Sequence, residues 1–318
     1  MNEFALIERY FDRGQKSARV PLALGDDCAL LNTKENSQFV VSVDTMVSGV
    51  HFYPDIDSEK LAQRALCVAL SDLAAMAATP LAFFLALTLP EADEPWLESF
   101  SRGLFDSAER YGCVLAGGDT TRGPLAVSVT VIGEVSTGQA LTRSGAREGD
   151  SIYVSGTVGD GAAALALINQ QLTVSQDMAA YLLARYYTPE PQFKIAQLVN
   201  DMASACLDIS DGLLADLAHI CTASAVGANL ALECIPTSAA LKSCATQEQQ
   251  YHWALSGGDD YQLCFTVPRA NEAALQKRVS ESDLTVTKIG QIVKGEGVHC
   301  TLHGQPYQQT LRGYQHFG

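Results

Sequence analysis

The sequence predicts two domains, each built from mixed strands and helices of the α/β or α+β class. The chain has 318 residues, more than a single compact core usually accommodates, so two domains are expected. Strand-like apolar segments alternate with helix-like segments in both halves, which is typical of these fold classes. Hydrophobic residues make up 47% of the chain and charged residues 18%, a composition that suits a globular protein with a filled interior.

In the first half, capping residues and apolar runs predict three helices and three strands. Asp and Ser are favoured N-caps, Pro is favoured in a first helical turn, and Gly commonly ends a helix. The helices are therefore expected over residues 4–11, from Asp57 or Ser58 to Ala78, and from Asp93 and Pro95 to Gly112. The strands are expected over residues 38–45, 81–89 and 125–135.

Residues 136–150 are rich in small and polar side chains and predict the boundary between the domains. We place it near Ala140, which gives an N-terminal domain of residues 1–140 and a C-terminal domain of residues 141–318. In the C-terminal domain, helices are expected after the Gly-rich turn at residues 156–161 and from Gly212. Strands are expected over residues 151–154, 205–209, 228–234, 263–267 and 286–293.

The charge and the cysteines restrict the class of protein. A formal net charge of −15 repels nucleic acid and anionic membranes, so neither is expected as a partner. It also repels ATP unless metal ions mediate. No apolar run reaches the roughly 18 residues of a membrane span, and the N-terminus lacks the pattern of a secretory signal. Nine scattered cysteines without a C-x-x-C spacing predict reduced thiols in the cytoplasm.

Aspartates recur at strand ends, beside glycines and within an apolar helix. They occupy six places, at residues 25–27, 42–45, 71–73, 117–120, 208–212 and 257–260. Asp72 is the clearest case, because almost all its helical neighbours are apolar and an unpaired buried carboxylate costs several kcal/mol. The chain has only 21 Lys and Arg residues, so hard divalent cations such as Mg²⁺ are the natural partners. Backbone N–H groups in the Gly turns are candidates to cradle phosphate oxygens.

Each acidic motif taken alone also has an ordinary structural explanation. Asp26 and Asp27 can form a solvated turn, and Asp72 can pair with a distant Arg. Residues 117–120 can form a hairpin or an Asx turn, and Ser210 or Asp211 can cap the next helix. Residues 156–161 resemble a weak nucleotide loop but also a tight turn with a cap. These explanations account poorly for the six places together.

Motifs of several other enzyme classes are absent from the sequence. There is no G-x-x-x-x-G-K-[ST] of a P-loop enzyme and no H-R-D or D-F-G of a protein kinase. There is also no H-E-x-x-H and no G-x-S-x-G, and the six histidines lack metal-ligand spacing. We therefore expect metal-assisted chemistry without a protein nucleophile.

These motifs, in this order, resemble those of the thiamine-monophosphate kinase family along nearly the whole chain. The matching segments in the first half are FALI at 4–7, GDDCA at 25–29, SVDT at 42–45, GVHF at 49–52, SDLAAM at 71–76 and GGDTTRG at 117–123. Those in the second half are LTRSGA at 141–146, DISDGL at 208–213, ALSGGDDY at 254–261 and GY at 313–314.

The resemblance implies an architecture shared with aminoimidazole ribonucleotide synthetase and selenophosphate synthetase, with the N-terminal sheets of a homodimer pairing into a barrel. It implies several magnesium ions held by Asp27, Ser42, Val43, Asp44, Asp72, Asp119, Asp208 and Asp211. It implies ATP contacts from Tyr111, Gly118, Asp119, Arg143 and Ser210. It implies thiamine contacts from His51, Asp259 and Tyr314, since an aromatic ring and a carboxylate suit a cationic thiazolium.

The chain departs from the family pattern at two of these positions. Asp259 stands where the family usually carries Glu, and Val43 stands where it often carries Thr, so Val43 would contribute only backbone. The implied activity is ATP-dependent phosphorylation of thiamine monophosphate to thiamine diphosphate. The absence of a nucleophile motif and an acceptor that is already a phosphate favour direct in-line transfer.

Two other functions stay open at the level of sequence. One is another ATP-dependent synthetase of the same architecture, although the chain lacks an early Cys-Lys loop and a terminal cysteine. The other is a non-catalytic sensor of nucleotides or divalent ions, against which only the completeness of the acidic set counts.

Overall fold

The computed structural model describes residues 3–14, 17–24 and 28–307. The chain divides into two compact units. The first comprises residues 1–73 and 78–138, and the second comprises residues 74–77 and 139–318.

The first unit contains one sheet of four strands and three helices. The strands are β1 Ser37–Val47, β2 Thr79–Leu89, β3 Val114–Arg122 and β4 Ala126–Ser136. The helices are α1 Glu3–Tyr10, α2 Ser58–Ala75 and α3 Glu94–Tyr111. The strand order is β1-β4-β2-β3, in which β3 runs parallel to β2 and the other neighbours are antiparallel. This sheet is open, with β1 and β3 at its edges.

Alternation along the central strands determines which face of this sheet is buried. In β2, Phe83, Leu85 and Leu87 are buried while the residues between them are more exposed. The register pairs Leu85 with Val129 of β4 and Val129 with Asp44 of β1. Because paired residues of adjacent strands project to the same face, Asp44 lies on the buried face of the sheet.

The second unit contains a seven-stranded mixed sheet of order β11-β10-β7-β9-β5-β8-β6. Its strands are β5 Ser151–Ser155, β6 Ala205–Asp208, β7 Gly227–Ala231, β8 Leu263–Val267, β9 Val286–Val293, β10 Gly297–Leu302 and β11 Gln305–Tyr307. Its helices are α4 Asp160–Ile168, α5 Gln176–Tyr187, α6 Phe193–Val199, α7 Leu213–Ser224, α8 Ala239–Cys244, α9 Gln247–Ser256 and α10 Glu272–Ser280. Two short 3₁₀ helices cover Leu232–Cys234 and Arg269–Asn271.

The central strands of this second sheet are buried on both faces. Every residue of β5, β6 and β8 is buried. One side packs with α7 and α9 through Leu217 and Leu255, and the other packs with α6 and α10 through Val199 and Leu275. A sheet covered on both faces has nearly continuous apolar strands, which explains the run LCFTV in β8.

Most elements predicted from the sequence are present, with shifts of a few residues at their ends. The predicted caps of α3 are confirmed, since Asp93 occupies the N-cap position and Gly112 ends the helix at φ 67°. The helix expected to reach Ala78 ends at Ala75. The strand expected over 228–234 ends at Ala231 and continues as a 3₁₀ turn.

The largest error of the sequence analysis concerns residues 117–120. The prediction that they form a hairpin or an Asx turn is wrong, because these residues lie inside β3. Two adjacent glycines suggested a turn, whereas tertiary pairing with β2 holds them extended. Several helices and strands of the second unit were not predicted, although Ser175, Ser238 and Thr246 cap three of the helices with their side chains. The elements not predicted are α5, α6, α8, α9, α10, β10 and β11.

The structure also bears on the expectations for the cysteines and for membrane-spanning helices. All nine cysteines are free thiols, and six of them are buried as ordinary core residues. None of the helices in the described part of the chain combines the length and the apolar composition that a bilayer crossing needs.

Gly118 is required by the close approach of β3 to β2. A Cβ at this position would lie 1.9 Å from the carbonyl oxygen of Leu85, so Gly118→Ala must push the two strands apart. We expect the free energy of unfolding to fall by about 1–3 kcal/mol, measured by urea unfolding. Gly117→Ala is the matched control, because its Cβ would meet only the ring edge of Phe84, at 3.0 Å. Equal losses in both variants would contradict this account.

Candidate functional site

Two of the predicted metal-binding carboxylates come together in the first unit. Asp72 lies on α2 and Asp44 on β1, and the Ser42 hydroxyl donates a hydrogen bond to Asp72 Oδ2. Ser42 and Asp44 are two residues apart on one strand, so their side chains project to the same face. No ion pair involves Asp72 among the described residues, and the alternative of a salt bridge to a distant Arg therefore finds no support.

The proximity of these carboxylates raises the proton affinity of Asp44. Burial and, to a smaller extent, the neighbouring charge of Asp72 together raise the pKa of Asp44 to about 6. A cation bound between the two groups would remove the second cause and offset the first. The pair therefore has the donor chemistry of a site for a hard divalent cation, with two carboxylates and a hydroxyl.

Asp119 lies on the other face of the same sheet. It pairs with Ala86, one position beyond the pair between Gly118 and Leu85, and the register therefore assigns it to the face of Ala86 and Ser128. Asp44 shares the opposite face with Leu85. Within the described residues, no group of three His, Cys, Asp or Glu side chains converges as a metal site, so the first unit brings together only part of the predicted set.

Val43 and Tyr111 are predicted site residues whose surroundings differ from those of the aspartates. Val43 pairs with Thr130 of β4, and its side chain is exposed, so only its backbone has oxygen or nitrogen to offer. Tyr111 is the last residue of α3, and the guanidinium of Arg110 lies 5.3 Å from its ring centroid. Tyr111 therefore lies about three residues before the start of β3, the strand that contains Gly118 and Asp119.

His51 lies in the loop between β1 and α2, and its ring is oriented by the backbone. The N–H of Val47 donates to Nδ1 of His51 over 3.0 Å. A ring nitrogen that accepts a hydrogen bond carries no proton, so the neutral ring carries its hydrogen on Nε2. The backbone of Val47 thus fixes the orientation of the His51 ring.

In the second unit, the motif DISDG forms a loop between β6 and α7 that is held by a carboxylate the sequence analysis did not select. Asp208 is buried at the end of β6. Asp216 Oδ2 accepts the consecutive backbone N–H groups of Ser210, Asp211 and Gly212 at 3.0, 3.0 and 3.1 Å. Capping of α7 by the side chain of Ser210 or Asp211 is therefore wrong, since Gly212 is the N-cap residue and Asp216 supplies the acceptor.

Asp216 is only 4% exposed, and burial raises its pKa to about 7, against the lowering effect of the N–H donors. Those three N–H groups are occupied, so they do not form the phosphate cradle that the Gly turn suggested. Because Asp216 accepts these bonds, the side chains of Ser210 and Asp211 are not needed for capping and remain candidates for ligand contacts.

Asp259 occupies a constrained loop between α9 and β8. Its φ is 65°, and Tyr261 has φ 50°, which is the left-handed region that non-glycine residues rarely adopt. The Tyr261 hydroxyl donates to Asp259 Oδ1 over 2.9 Å. The carboxylate predicted to contact the substrate is therefore fixed in direction by its own loop.

Asp260, between these two residues, is a further carboxylate that the sequence analysis did not select. It is 1% exposed, and it accepts the N–H groups of Gly159 at 2.7 Å and Gly161 at 3.2 Å. Burial raises its pKa to about 7, a direction that the charge of Arg185 opposes and that of Asp160 reinforces. The N–H groups of Gly156, Val158, Gly159 and Gly161 thus donate to acceptors inside the protein, which supports a tight turn with a cap over a nucleotide loop.

A buried polar cluster surrounds this turn. Asp160 is fully buried and accepts hydrogen bonds from Thr157, Tyr181 and Ser238 at 2.7, 3.0 and 2.6 Å. Arg185 Nε lies 3.6 Å from Asp160 Oδ2. The sequence signal for this cluster was weak, because its members are far apart along the chain.

The other predicted site residues are Arg143, Asp27 and Tyr314. Arg143 is exposed, and its carbonyl oxygen accepts from the hydroxyl of Ser224 over 3.2 Å. Asp27 and Tyr314 lie outside the described residues.

Comparison with known families first defines the class of protein. Two family models match the chain, AIR synthase related protein, N-terminal domain, over residues 25–135 and AIR synthase related protein, C-terminal domain, over residues 147–303. The chain is thus an AIR synthase-related protein of two domains. It is 49% identical to the thiamine-monophosphate kinase of Escherichia coli (strain K12), over 99% of this chain and 98% of that protein. The chain belongs to the thiamine-monophosphate kinase family.

Two solved structures agree with this assignment. The crystal structure of the thiamine-monophosphate kinase from Stenotrophomonas maltophilia K279a is 43% identical, with a TM-score of 0.88 over 96% of this chain and 98% of that chain. A structure of AaThiL complexed with AMPPCP and TMP is 31% identical, with a TM-score of 0.78 over 93% and 92% of the two chains.

The raised pKa of Asp260 predicts a pH dependence of stability. Because its pKa is higher in the folded chain than its ordinary value of 3.8, the folded state binds more protons between about pH 4 and pH 7. The stability that this group contributes is therefore present at low pH and lost as the pH rises through about 7. Relative to Asp260→Asn, the wild-type free energy of unfolding should fall across this window by up to about 4 kcal/mol, measured by urea unfolding at each pH.

The exposed Asp106→Asn is the control for this measurement, and its difference from the wild type should stay flat across the same range. The raised pKa of Asp260 would be contradicted if the free energy of unfolding of the wild type, minus that of Asp260→Asn, increased with pH.

Proposed function

We propose that this chain transfers the γ-phosphoryl group of ATP to thiamine monophosphate, which gives ADP and thiamine diphosphate. The observation that carries the proposal is membership of the thiamine-monophosphate kinase family over the full length of both chains. The relative solved with AMPPCP and TMP supports both substrates, because AMPPCP is an analogue of ATP and TMP denotes thiamine monophosphate.

The proposal includes several Mg²⁺ ions. The pairing of Asp44 with Asp72 and Ser42 supports it, since the charge of Asp72 contributes to the raised pKa of Asp44 and the three side chains match the oxygen donors that Mg²⁺ prefers. The other proposed ligands are Asp27, the backbone of Val43, Asp119, Asp208 and Asp211. Bound Mg²⁺ would neutralise phosphate charge and orient the two phosphates, which a protein of net charge −15 could not do with its own surface.

The proposed transfer is direct and in line, without a phosphoenzyme. The acceptor is a phosphate monoester whose second pKa is about 6, so its attacking oxygen is mostly deprotonated near neutral pH. No general base is then required, and the chain needs only to position the two substrates and offset their repulsion. His51, whose Nδ1 accepts from Val47, acts as a substrate contact and not as a base.

We divide the chain into an N-terminal domain of residues 1–140 and a C-terminal domain of residues 141–318. The proposed ATP contacts follow from the family resemblance residue by residue, and they are Tyr111, Gly118, Asp119, Arg143 and Ser210. The thiamine moiety is contacted by His51, Asp259 and Tyr314.

The proposal also includes a homodimer in which the first-unit sheets of two copies form a barrel. Edge strand β1 supports it, because Phe39, Val41 and Val43 are 42%, 60% and 60% exposed on one face. A long apolar edge strand is an aggregation site unless another chain covers it. A second copy of the same chain is the proposed partner.

The metal-binding aspartates can be tested by activity. Asp44→Asn, Asp119→Asn and Asp211→Asn should each lower kcat by orders of magnitude at saturating magnesium, because phosphoryl transfer depends on neutralised and oriented phosphates. The measurement is ADP release with and without thiamine monophosphate. Asp106→Asn, on the exposed face of α3, is the matched control and should keep wild-type turnover.

Near-normal turnover in all three variants would remove the metal assignment. ADP release that does not depend on thiamine monophosphate would instead indicate another ATP-dependent enzyme of the same class, and nucleotide binding without ADP release would indicate a sensor.

The dimer can be tested through β1. Val41→Glu introduces a charge into the proposed interface, so it should shift the protein toward monomer by at least about tenfold in Kd, since burying an uncompensated charge costs several kcal/mol. Sedimentation velocity measures the change. Leu30→Glu alters a residue of similar exposure outside β1 and should leave the dimer intact. A wild-type monomer at micromolar concentration would contradict the proposed homodimer.

A further inference from the structure

The loop that carries Asp259 is hydrogen-bonded to the loop that carries Ser210 and Asp211. The N–H of Asp259 donates to the carbonyl of Ser210 over 2.9 Å, and the N–H of Tyr261 donates to the carbonyl of Ile209 over 2.8 Å. The proposed thiamine contact therefore has a fixed place relative to the proposed ATP contact, and a shift of either loop moves both.

The other side of the same loop is held by Asp260. Its carboxylate is buried and accepts two backbone N–H groups from the first turn of α4, those of Gly159 and Gly161. The carbonyl of Asp260 accepts from Arg185 Nη2 over 3.4 Å. Both the side chain and the backbone of Asp260 are thus tied to elements outside the loop.

Packing at Gly161 leaves this loop no room to move toward α4. A Cβ at Gly161 would lie 2.6 Å from the carbonyl oxygens of both Gly258 and Asp259. The turn at residues 257–261 therefore rests directly on the backbone of the helix, at a distance that only glycine permits.

The conformation of the loop itself requires such support. Asp259 and Tyr261 both have left-handed φ angles, which disfavour this turn in the absence of external contacts. Asp260 lies between them and carries the hydrogen bonds to α4. The contacts of Asp260 are therefore the ones best placed to keep Asp259 in its unusual conformation.

We propose that Asp260 is a positioning residue that fixes the direction of the Asp259 carboxylate toward the thiamine moiety. This inference rests on the proposed function. Asp260 does not touch the substrate in this assignment; it acts through the backbone of its neighbour. Asp160 assists by its ion pair with Arg185, which keeps the guanidinium beside the carbonyl of Asp260.

The test is Asp260→Asn, assayed with both substrates. Asparagine has one side-chain oxygen for two N–H donors, and its amide N–H₂ faces one of them, so one bond is lost and a clash of donors replaces it. We expect the KM for thiamine monophosphate to rise roughly ten- to hundredfold, because small misplacements of a binding group have effects of this size. The KM for ATP should change much less, by no more than about threefold.

Asp150→Asn is the matched control. Asp150 is also a buried carboxylate of the second unit that accepts a backbone N–H, that of Arg147 at 3.0 Å, and the hydroxyl of Ser204 at 2.6 Å. Both variants should lower the thermal unfolding midpoint. Only Asp260→Asn should raise the KM for thiamine monophosphate.

Gly161→Ala provides a second variant that displaces the same loop without changing any charge. If Asp260→Asn does not fold, Gly161→Ala tests the inference by the same change in the KM for thiamine monophosphate. Failure of both variants to fold would count against a role of Asp260 that is specific to the site. Folded variants with an unchanged KM for thiamine monophosphate would overturn the inference while leaving the proposed function intact. A wild-type protein that releases no ADP with thiamine monophosphate would overturn the proposed function itself.

Discussion

Hydrogen bonds from backbone N–H groups to buried carboxylates hold the loops of the second unit in place. Asp216 accepts three consecutive N–H groups after β6, and Asp260 accepts two at the start of α4. Each carboxylate lies in the interior, where hydrogen bonds are strong and an unsatisfied polar group is costly. The loop with Ser210 and Asp211 and the loop with Asp259 therefore have little conformational freedom, although both contain glycine.

The aspartates of this chain consequently fall into two groups that differ in their partners. Asp216 and Asp260 accept several backbone hydrogen bonds and are satisfied inside the protein. Asp44 and Asp72 lie beside each other on the first unit, and the Ser42 hydroxyl donates a hydrogen bond to Asp72. Among the described residues, no ion pair involves Asp44 or Asp72, and this separates the proposed cation ligands from the structural carboxylates.

This distinction also bears on how an acidic protein would use the anionic substrates proposed for it. A surface with a net charge of −15 disfavours bare phosphates, and the turns before α4 and α7 do not offset this, because Asp260 and Asp216 accept hydrogen bonds from their N–H groups. On the proposed function, phosphate charge would be neutralised by cations that carboxylates such as Asp44 and Asp72 would hold, and membership of a kinase family is consistent with that requirement.

The sequence by itself determined the alternation of strands and helices, the caps of α3, the family, and the set of acidic residues, because these depend on local preference and on motifs that are contiguous in the chain. Only the tertiary structure decided which carboxylates have partners. Residues 117–120 are extended because β2 pairs with them, and Asp119 faces away from Asp44 because of strand register. Asp260 reaches Gly159 and Asp160 reaches Ser238 across about a hundred and about eighty residues of chain. Hydrogen bonds between residues so far apart leave no periodicity or spacing that a sequence could display.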